Sequence, residues 1–269
     1  MSENKLNTDN ENENEFDDES LGDFEYSLST YQEDFVRENL MSDAFLDFVE
    51  TNTKPIDLLF AYYRCAIMEV ETKFRVLDEE LSTELERNPI ESIKTRVKSV
   101  DSLLRKMRRK NIPLNLAAIE ENINDIAGVR VICSFPDDIY ELAESLLAQD
   151  DITLISRKDY IKDPKPSGYR SLHLIVEVPI FLKNEKRNMK VEVQFRTIAM
   201  DFWASLEHKL HYTHDLPPER AKALADELRD CAEQIELLDQ RMQAVKNEIV
   251  TYNEENPKDD IFPGFPLLG

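Results

Sequence analysis

Apolar residues recur at helical spacing along two long stretches of the chain and at strand spacing along five short ones. From Ile56 to Leu85, positions Leu59, Tyr62, Tyr63, Ala66, Ile67, Val70, Phe74, Leu77, Leu81 and Leu85 follow a period near 3.6, which predicts one long amphipathic helix. Pro55 is expected in its first turn and Pro89 past its end. Phe45 to Val49 reads as the end of a separate short helix. A second long helix is expected from Pro217 to Thr251, with Leu224, Leu228, Cys231, Ile235, Leu238, Met242, Val245 and Ile249 on a stripe near coiled-coil spacing. Between them, strands are expected at 91–98, 129–135, 152–161, 170–178 and 189–197, the last two as an antiparallel hairpin. Shorter helices are expected at 101–110, capped by Ser99, and at 119–123, 137–148 and 198–212. The fold class is α+β: a mixed, mostly antiparallel five-stranded sheet flanked by helices, with long N- and C-terminal helices and no internal repeat.

Alternation by two sorts each strand into faces. In 189–197, Met189, Val191, Val193 and Phe195 share one face, and Lys190, Glu192, Gln194 and Arg196 the other. In 170–178, Leu172, Leu174, Val176 and Val178 oppose Ser171, His173, Ile175 and Glu177. Two paired strands thus offer a polar face, which in an antiparallel sheet is either solvated or a site.

Charge narrows the choice. The 269 residues hold 55 Asp and Glu against 33 Lys and Arg, a net of −22. Residues 1–50 contain 16 acids and 2 bases, leaving 55 − 16 = 39 acids and 33 − 2 = 31 bases elsewhere, a net of −8. The acidic segment 1–28 is too polar to bury a core and is expected to be disordered. A main domain is expected over 29–252 and a loose end over 253–269. Against this trend, residues 91–110 carry 8 bases and 2 acids, and residues 157–170 carry 5 bases and 2 acids. Local basic patches in an acidic chain suit a small polyanion, not a long duplex, so DNA is not an expected partner.

Glycine is scarce. Gly128 and Gly168 are the only two between residues 23 and 263, so each is expected where the backbone needs positive φ or close approach. No set of glycines is close enough to build a P-loop or a dinucleotide-binding turn. Gly128 follows Asp125, an acid at a strand start that can hold Mg²⁺ at a sheet edge, or simply make a turn. Gly168 precedes Tyr169, either a stacking platform for a base or a core tyrosine. Lys94, Arg96 and Lys98 share a strand face, and Ser102 and Lys106 share a helix face behind a helix N-terminus that favours anions. Together they would grip a polyphosphate, although a solvated charge run has the same composition.

Other signals exclude more than they assign. Cys65, Cys133 and Cys231 are too far apart for a zinc ribbon or redox pair. His208, His211 and His214 lack a third-ligand pattern. No apolar run is long enough to span a bilayer, and no apolar signal core follows Met1, so the expected location is cytoplasmic and no membrane partner is expected.

The runs DIAGVRVICSFPDDIY, DYIKDPKPSGYRSLHLIVE and VEVQFRTIAMDFWASLEHKLHY closely resemble the RelA/SpoT-type (p)ppGpp synthetase domain, over about residues 55–250. The size and the absence of a preceding hydrolase domain resemble a small alarmone synthetase of the RelQ type. The resemblance implies a sheet of the nucleotidyltransferase-like type. It implies transfer of the pyrophosphoryl group of ATP to the 3′-hydroxyl of GTP or GDP, release of AMP, and no hydrolase activity. It implies Asp125 and Glu192 as the catalytic, Mg²⁺-binding carboxylates, with Glu192 also taking the ribose proton. Arg96, Lys98, Ser102, Lys106 and Arg130 match the ATP-binding segments, with Arg96 and Arg130 flanking adenine. Lys165, Tyr169, His173 and Gln194 match the acceptor-binding residues, with Tyr169 stacked on guanine. Thr95 and Phe195 depart from the usual Gly and Ile, with consequences expected only for strand geometry. The resemblance also implies a homotetramer with a pppGpp effector, while the basic patches leave RNA open as a partner. The alternatives are a nucleotidyltransferase of related fold, which would release pyrophosphate, and a non-catalytic nucleotide- or RNA-binding regulator.

Overall fold

The protein is described from a computed structural model at residues 43–85, 87–210 and 217–256. The acidic segment 1–28, His211, His214, the side chain of His208 and residues 257–269 of the expected loose end lie outside these residues, whereas Asn253 to Glu255 of that expected loose end are helical. The chain runs α1 (Asp43–Leu85), β1 (Ile90–Val97), α2 (Val100–Arg109), α3 (Leu116–Asn122), β2 (Ala127–Cys133) and α4 (Pro136–Leu147). It continues through β3 (Thr153–Asp159), β4 (Leu172–Phe181), β5 (Lys186–Thr197), α5 (Ile198–Leu210) and α6 (Pro218–Glu255).

The five strands form one sheet in the order β1-β2-β5-β4-β3. Only β2 and β5 are parallel; the other three pairs are antiparallel. The expected α+β class and mostly antiparallel sheet are borne out.

Helix α1 covers one face of the sheet. Its buried stripe is Leu59, Tyr63, Ala66, Ile67, Val70, Phe74, Leu77 and Leu81, eight of the ten positions that the periodicity picked out; Tyr62 is partly buried against the same core, and the Leu85 side chain lies outside the described residues. These pack with the inward residues of β2, β4 and β5 and with Ile139, Leu142 and Leu146 of α4 into the main core. Phe195 belongs here: its ring meets Phe74 edge to face at 5.5 Å, so it fills core rather than site.

Several boundaries differ from expectation by two to four residues, as where β5 starts at Lys186 and α6 ends at Glu255, and two differences have a clear physical reason. Pro55 lies inside α1, and Phe45 to Val49 belong to the same helix. A proline removes one intrahelical hydrogen bond. Pro55 is exposed, so water can satisfy the freed carbonyl, while the buried stripe beginning at Leu59 holds the helix together. Strand β4 continues through Pro179 to Phe181, three residues past the expected end. It pairs there with β5, whereas pairing to β3 reaches only Glu177, so no N–H of Pro179 is needed on the β3 side.

Helix α6 is held largely by polar contacts. Thr197 Oγ1 donates to Asp239 Oδ2 at 2.6 Å, Arg170 pairs with Glu236, and Lys246 Nζ lies 3.3 Å from Asp138 Oδ1. Of the expected stripe, Leu228 and Ile235 pack against a small cluster of Tyr169, Trp203, Ala204 and Ala232, while Leu224, Leu238, Met242, Val245 and Ile249 stay exposed.

The three thiols differ by burial. Cys133 is fully buried, and burial first, then the Asp138 and Asp78 charges, push its thiol well above the ordinary range. Cys231 is exposed. In the native protein an alkylating reagent at neutral pH should modify Cys231 first and leave Cys133 intact until unfolding; mass mapping that finds Cys133 labelled first would contradict the packing.

Candidate active site

The face of the sheet turned away from α1 carries the polar residues of β1, β2, β4 and β5. Register aligns them. Lys94 pairs with Arg130, Arg130 with Gln194, and Gln194 with His173, so one row crosses four strands. The next row is Arg96, Gly128, Glu192 and Ile175. Because opposed residues of a sheet share a face, both rows look onto one surface.

Asp125 stands just before β2. Its Oδ2 accepts from Lys98 Nζ at 2.8 Å and from Lys106 Nζ at 2.5 Å. Burial would raise its carboxyl, but the two ammonium groups outweigh burial and bring it down to about 2. Its Oδ1 is buried with no hydrogen-bond partner. A buried carboxylate oxygen without a partner is costly in a finished protein. Here it leaves one ligand position open for a hard cation, and Mg²⁺ is commonly held by one or two carboxylates plus substrate phosphates. No cluster of three or more His, Cys, Asp or Glu side chains suited to a metal occurs among the described residues, so any such ion would depend on the substrate for its remaining ligands. The donor set therefore fits Mg²⁺ shared with a polyphosphate.

Helix α2 brings the basic segment to the same place. Ser99 caps it by accepting from the Ser102 backbone N–H at 3.2 Å, as expected. Ser102 Oγ accepts from Ser99 Oγ and from Arg105. The Arg96 side chain crosses over Gly128: a Cβ there would meet Arg96 Cγ at 3.3 Å. Gly128 thus provides close approach, one of its two expected roles. Gly168 provides both: its φ is +93°, and a Cβ would come within 2.6 Å of the Ala232 Cβ on α6.

Glu192 sits at the centre of the polar face. Gln194 Nε2 donates to its Oε2 at 2.9 Å, and His173 Nδ1 lies 3.4 Å from its Oε1. Burial works to raise the Glu192 carboxyl and the neighbouring Asp125 adds to that, yet His173 and then Arg96 bring the carboxyl below its usual range. His173 Nε2 meets the Tyr169 hydroxyl at 2.9 Å. Arg196 Nη2 donates to that hydroxyl at 2.7 Å. Burial raises the phenol, but Arg196 and then His173 reverse this and bring it down to about 7. Lys165 Nζ lies 5.2 Å from the Tyr169 ring centroid, and the ring is only 8% exposed.

Arg130 completes the arrangement. Its Nη2 donates to Gln194 Oε1 at 2.7 Å, and its Nη1 lies 3.4 Å from Asp201 Oδ1. Burial, then the neighbouring Arg196, lower its guanidinium to about 9. All of the expected site residues except Ser102 are thereby joined to one polar face through direct contacts or electrostatic coupling.

Two central residues escaped the sequence reading. Arg196 was placed on the polar face but given no role, and Asp201 was not singled out. Arg196 is fully buried, and its Nε has no hydrogen-bond partner. Asp201, in the first turn of α5, accepts from Arg196 Nη1 at 3.1 Å and from Lys94 Nζ at 2.8 Å. The available signal was an acid in a helical first turn five residues after an arginine on the polar face of β5.

A basic, buried sheet face with two carboxylates, one of them with an unpartnered oxygen, has the chemistry to receive a polyphosphate and its cation. The sequence profile described as the region found in RelA / SpoT proteins matches residues 95–216. The GTP pyrophosphokinase YwaC of Bacillus subtilis is 46% identical over 189 residues, which cover 70% of this chain and 88% of the relative. The crystal structure of small alarmone synthetase 2 from Bacillus subtilis superposes with a TM-score of 0.64 at 44% identity, covering 72% of this chain and all of that one. Small alarmone synthetase 1 of the same organism, bound to its product pppGpp, gives a TM-score of 0.65 at 36% identity, over 73% and 98% of the two chains. The chain belongs to the RelA/SpoT family, and within it is similar to the small alarmone synthetases.

The Tyr169 hydroxyl supports a fully buried guanidinium. Tyr169→Phe should therefore lower the unfolding free energy by about 1–3 kcal/mol, since Arg196 would lose an acceptor it cannot replace with water. Denaturant titration checks this; a change within about 0.5 kcal/mol, typical of a surface position, would contradict the geometry.

Proposed function

We propose that this chain is a (p)ppGpp synthetase that moves the pyrophosphoryl group of ATP to the 3′-hydroxyl of GTP or GDP and releases AMP. The observation that carries this reading is Asp125: one oxygen is gripped by Lys98 and Lys106 and the other is buried and unpartnered, close enough to Glu192 to act on its charge, in a chain of this family. Its relatives include a GTP pyrophosphokinase and a small alarmone synthetase of Bacillus subtilis.

The 3′-oxygen attacks the β-phosphorus of ATP, the bond from that phosphorus to the α,β-bridging oxygen breaks, and AMP leaves. Asp125 and Glu192 would hold Mg²⁺, which would neutralise charge on the ATP phosphates. Lys98, Lys106 and Ser102 bind the donor phosphates from the β1–α2 side, and Arg96 lies across the sheet at Gly128 to flank adenine with Arg130. Glu192, kept ionised by His173, accepts the proton of the 3′-hydroxyl. His173 and Gln194 orient the acceptor beside it. A guanine stacked on Tyr169 takes the place of the Lys165 ammonium, which then turns to the acceptor phosphates. Positioning and charge neutralisation supply most of such a catalysis, which suits residues held on a sheet.

The reading includes a cytoplasmic location, where both nucleotides are abundant; no helix among the described residues is long and apolar enough to cross a membrane. It also includes a homotetramer, for which the exposed Leu238, Met242, Val245 and Ile249 of α6 and Phe202 and Leu206 of α5 are candidate contacts, and pppGpp as an effector.

Purified protein with ATP, Mg²⁺ and GDP should yield AMP in equal amount to a new guanosine nucleotide. Release of pyrophosphate would point to nucleotidyl transfer, and tight binding without turnover to a regulator. Glu192→Gln should cut kcat by at least about a hundredfold while circular dichroism stays unchanged; near-normal turnover removes Glu192 from the mechanism. Sedimentation at micromolar protein should give a tetramer, and a monomer would reject that part.

A further inference from the structure

Seven side chains close into one ring on the polar face. Asp201 Oδ1 accepts from Arg130, Arg130 donates to Gln194, and Gln194 donates to Glu192. From Glu192 the other arm runs to His173, then Tyr169, then Arg196, which returns to Asp201 Oδ1. Asp201 stands opposite Glu192 and belongs to both arms. One arm holds Arg130, on the donor side of the proposed reaction. The other holds Tyr169, on the acceptor side.

Asp201 is suited to this by its neighbours. It joins cations from three strands: Lys94 of β1, Arg130 of β2 and Arg196 of β5. Arg196 is 0% exposed and Arg130 5%, so neither can obtain a counter-charge from solvent. Each guanidinium repels the other, and the other acceptor that Arg130 reaches, Gln194 Oε1, is uncharged. The first-turn place of Asp201 in α5 favours its negative charge. A carboxylate here fixes the spacing of two guanidinium groups that would otherwise separate.

Resting on the synthetase reading, we propose that Asp201 is a positioning residue that sets the donor subsite through Arg130 and the acceptor subsite through Arg196 and Tyr169. It touches neither nucleotide.

The test separates the two arms. Asp201→Asn keeps the shape and one oxygen acceptor and removes the charge. It should raise KM for ATP and KM for GDP, each by about tenfold or more. In an Arg130→Met background the same change should leave KM for ATP where Arg130→Met alone put it, yet still raise KM for GDP. Arg196→Lys, which gives up the bond to Tyr169, should raise KM for GDP alone. Unchanged KM values in Asp201→Asn overturn the proposal. So does an equal rise in KM for ATP with and without Arg130, or a fall in kcat that only tracks the thermal midpoint. Should Asp201→Asn fail to fold, Arg196→Lys decides, and an unaltered KM for GDP overturns the proposal. Wild-type AMP formation reports separately on the synthetase reading. If it is absent, equilibrium binding of a non-hydrolysable ATP analogue and of GDP to the same variants reads the same split.

Discussion

Two guanidinium groups, Arg130 and Arg196, lie almost without solvent on the polar face of the sheet, and the single carboxylate of Asp201 lies between them. A buried charge must find its counter-charge inside the protein, because the desolvation it suffers amounts to several kcal/mol. That requirement ties α5 to the sheet and orients the outer ends of both arginines. Their other ends are then determined: Arg130 reaches Gln194 and Arg196 reaches Tyr169. Glu192 receives the two arms through Gln194 and His173. The geometry around the central carboxylate is a consequence of neutralising arginines some distance away.

The sheet makes such an arrangement possible. Parallel pairing of β2 with β5 sets Gly128 beside Glu192 and Arg130 beside Gln194. Antiparallel pairing of β5 with β4 adds His173 to the same row. A slip of one residue at either junction would turn these side chains into the core. The apolar residues on the opposite face prevent it. Val191, Val193 and Phe195 are fully buried against α1, so burial on one face enforces alignment on the other. The two mid-chain glycines serve the same end: Gly128 lets Arg96 cross the sheet, and Gly168 lets α6 approach Tyr169.

Much of this was legible in the residue pattern. The α1 stripe, the Ser99 cap, the five strands and the alternation of β5 follow from periodicity and capping chemistry, which act over a few residues. Gly128 and Gly168 were found because glycine is otherwise rare in this chain. Asp125 stood out from its place at a strand start, whereas alternation put Glu192 only on the polar face and its role came from the family resemblance. Pro55 misled because the rule against interior proline says nothing about a helix whose exposed side faces water and whose far face is buried. Asp201 was missed because the alternation argument ended with β5, and its partners are 5, 71 and 107 residues away.

The sequence alone determined which residues point together along each element, since side-chain direction depends only on local backbone geometry. It also determined where charge is concentrated. Only the tertiary structure decided which of those charges meet. Arg130 and Arg196 are placed on the polar face by local rules, but their counter-charge comes from Asp201 of α5. Burial decides how strongly each charge acts on its neighbours, so the ring around Glu192 exists only once the helices have closed over the sheet.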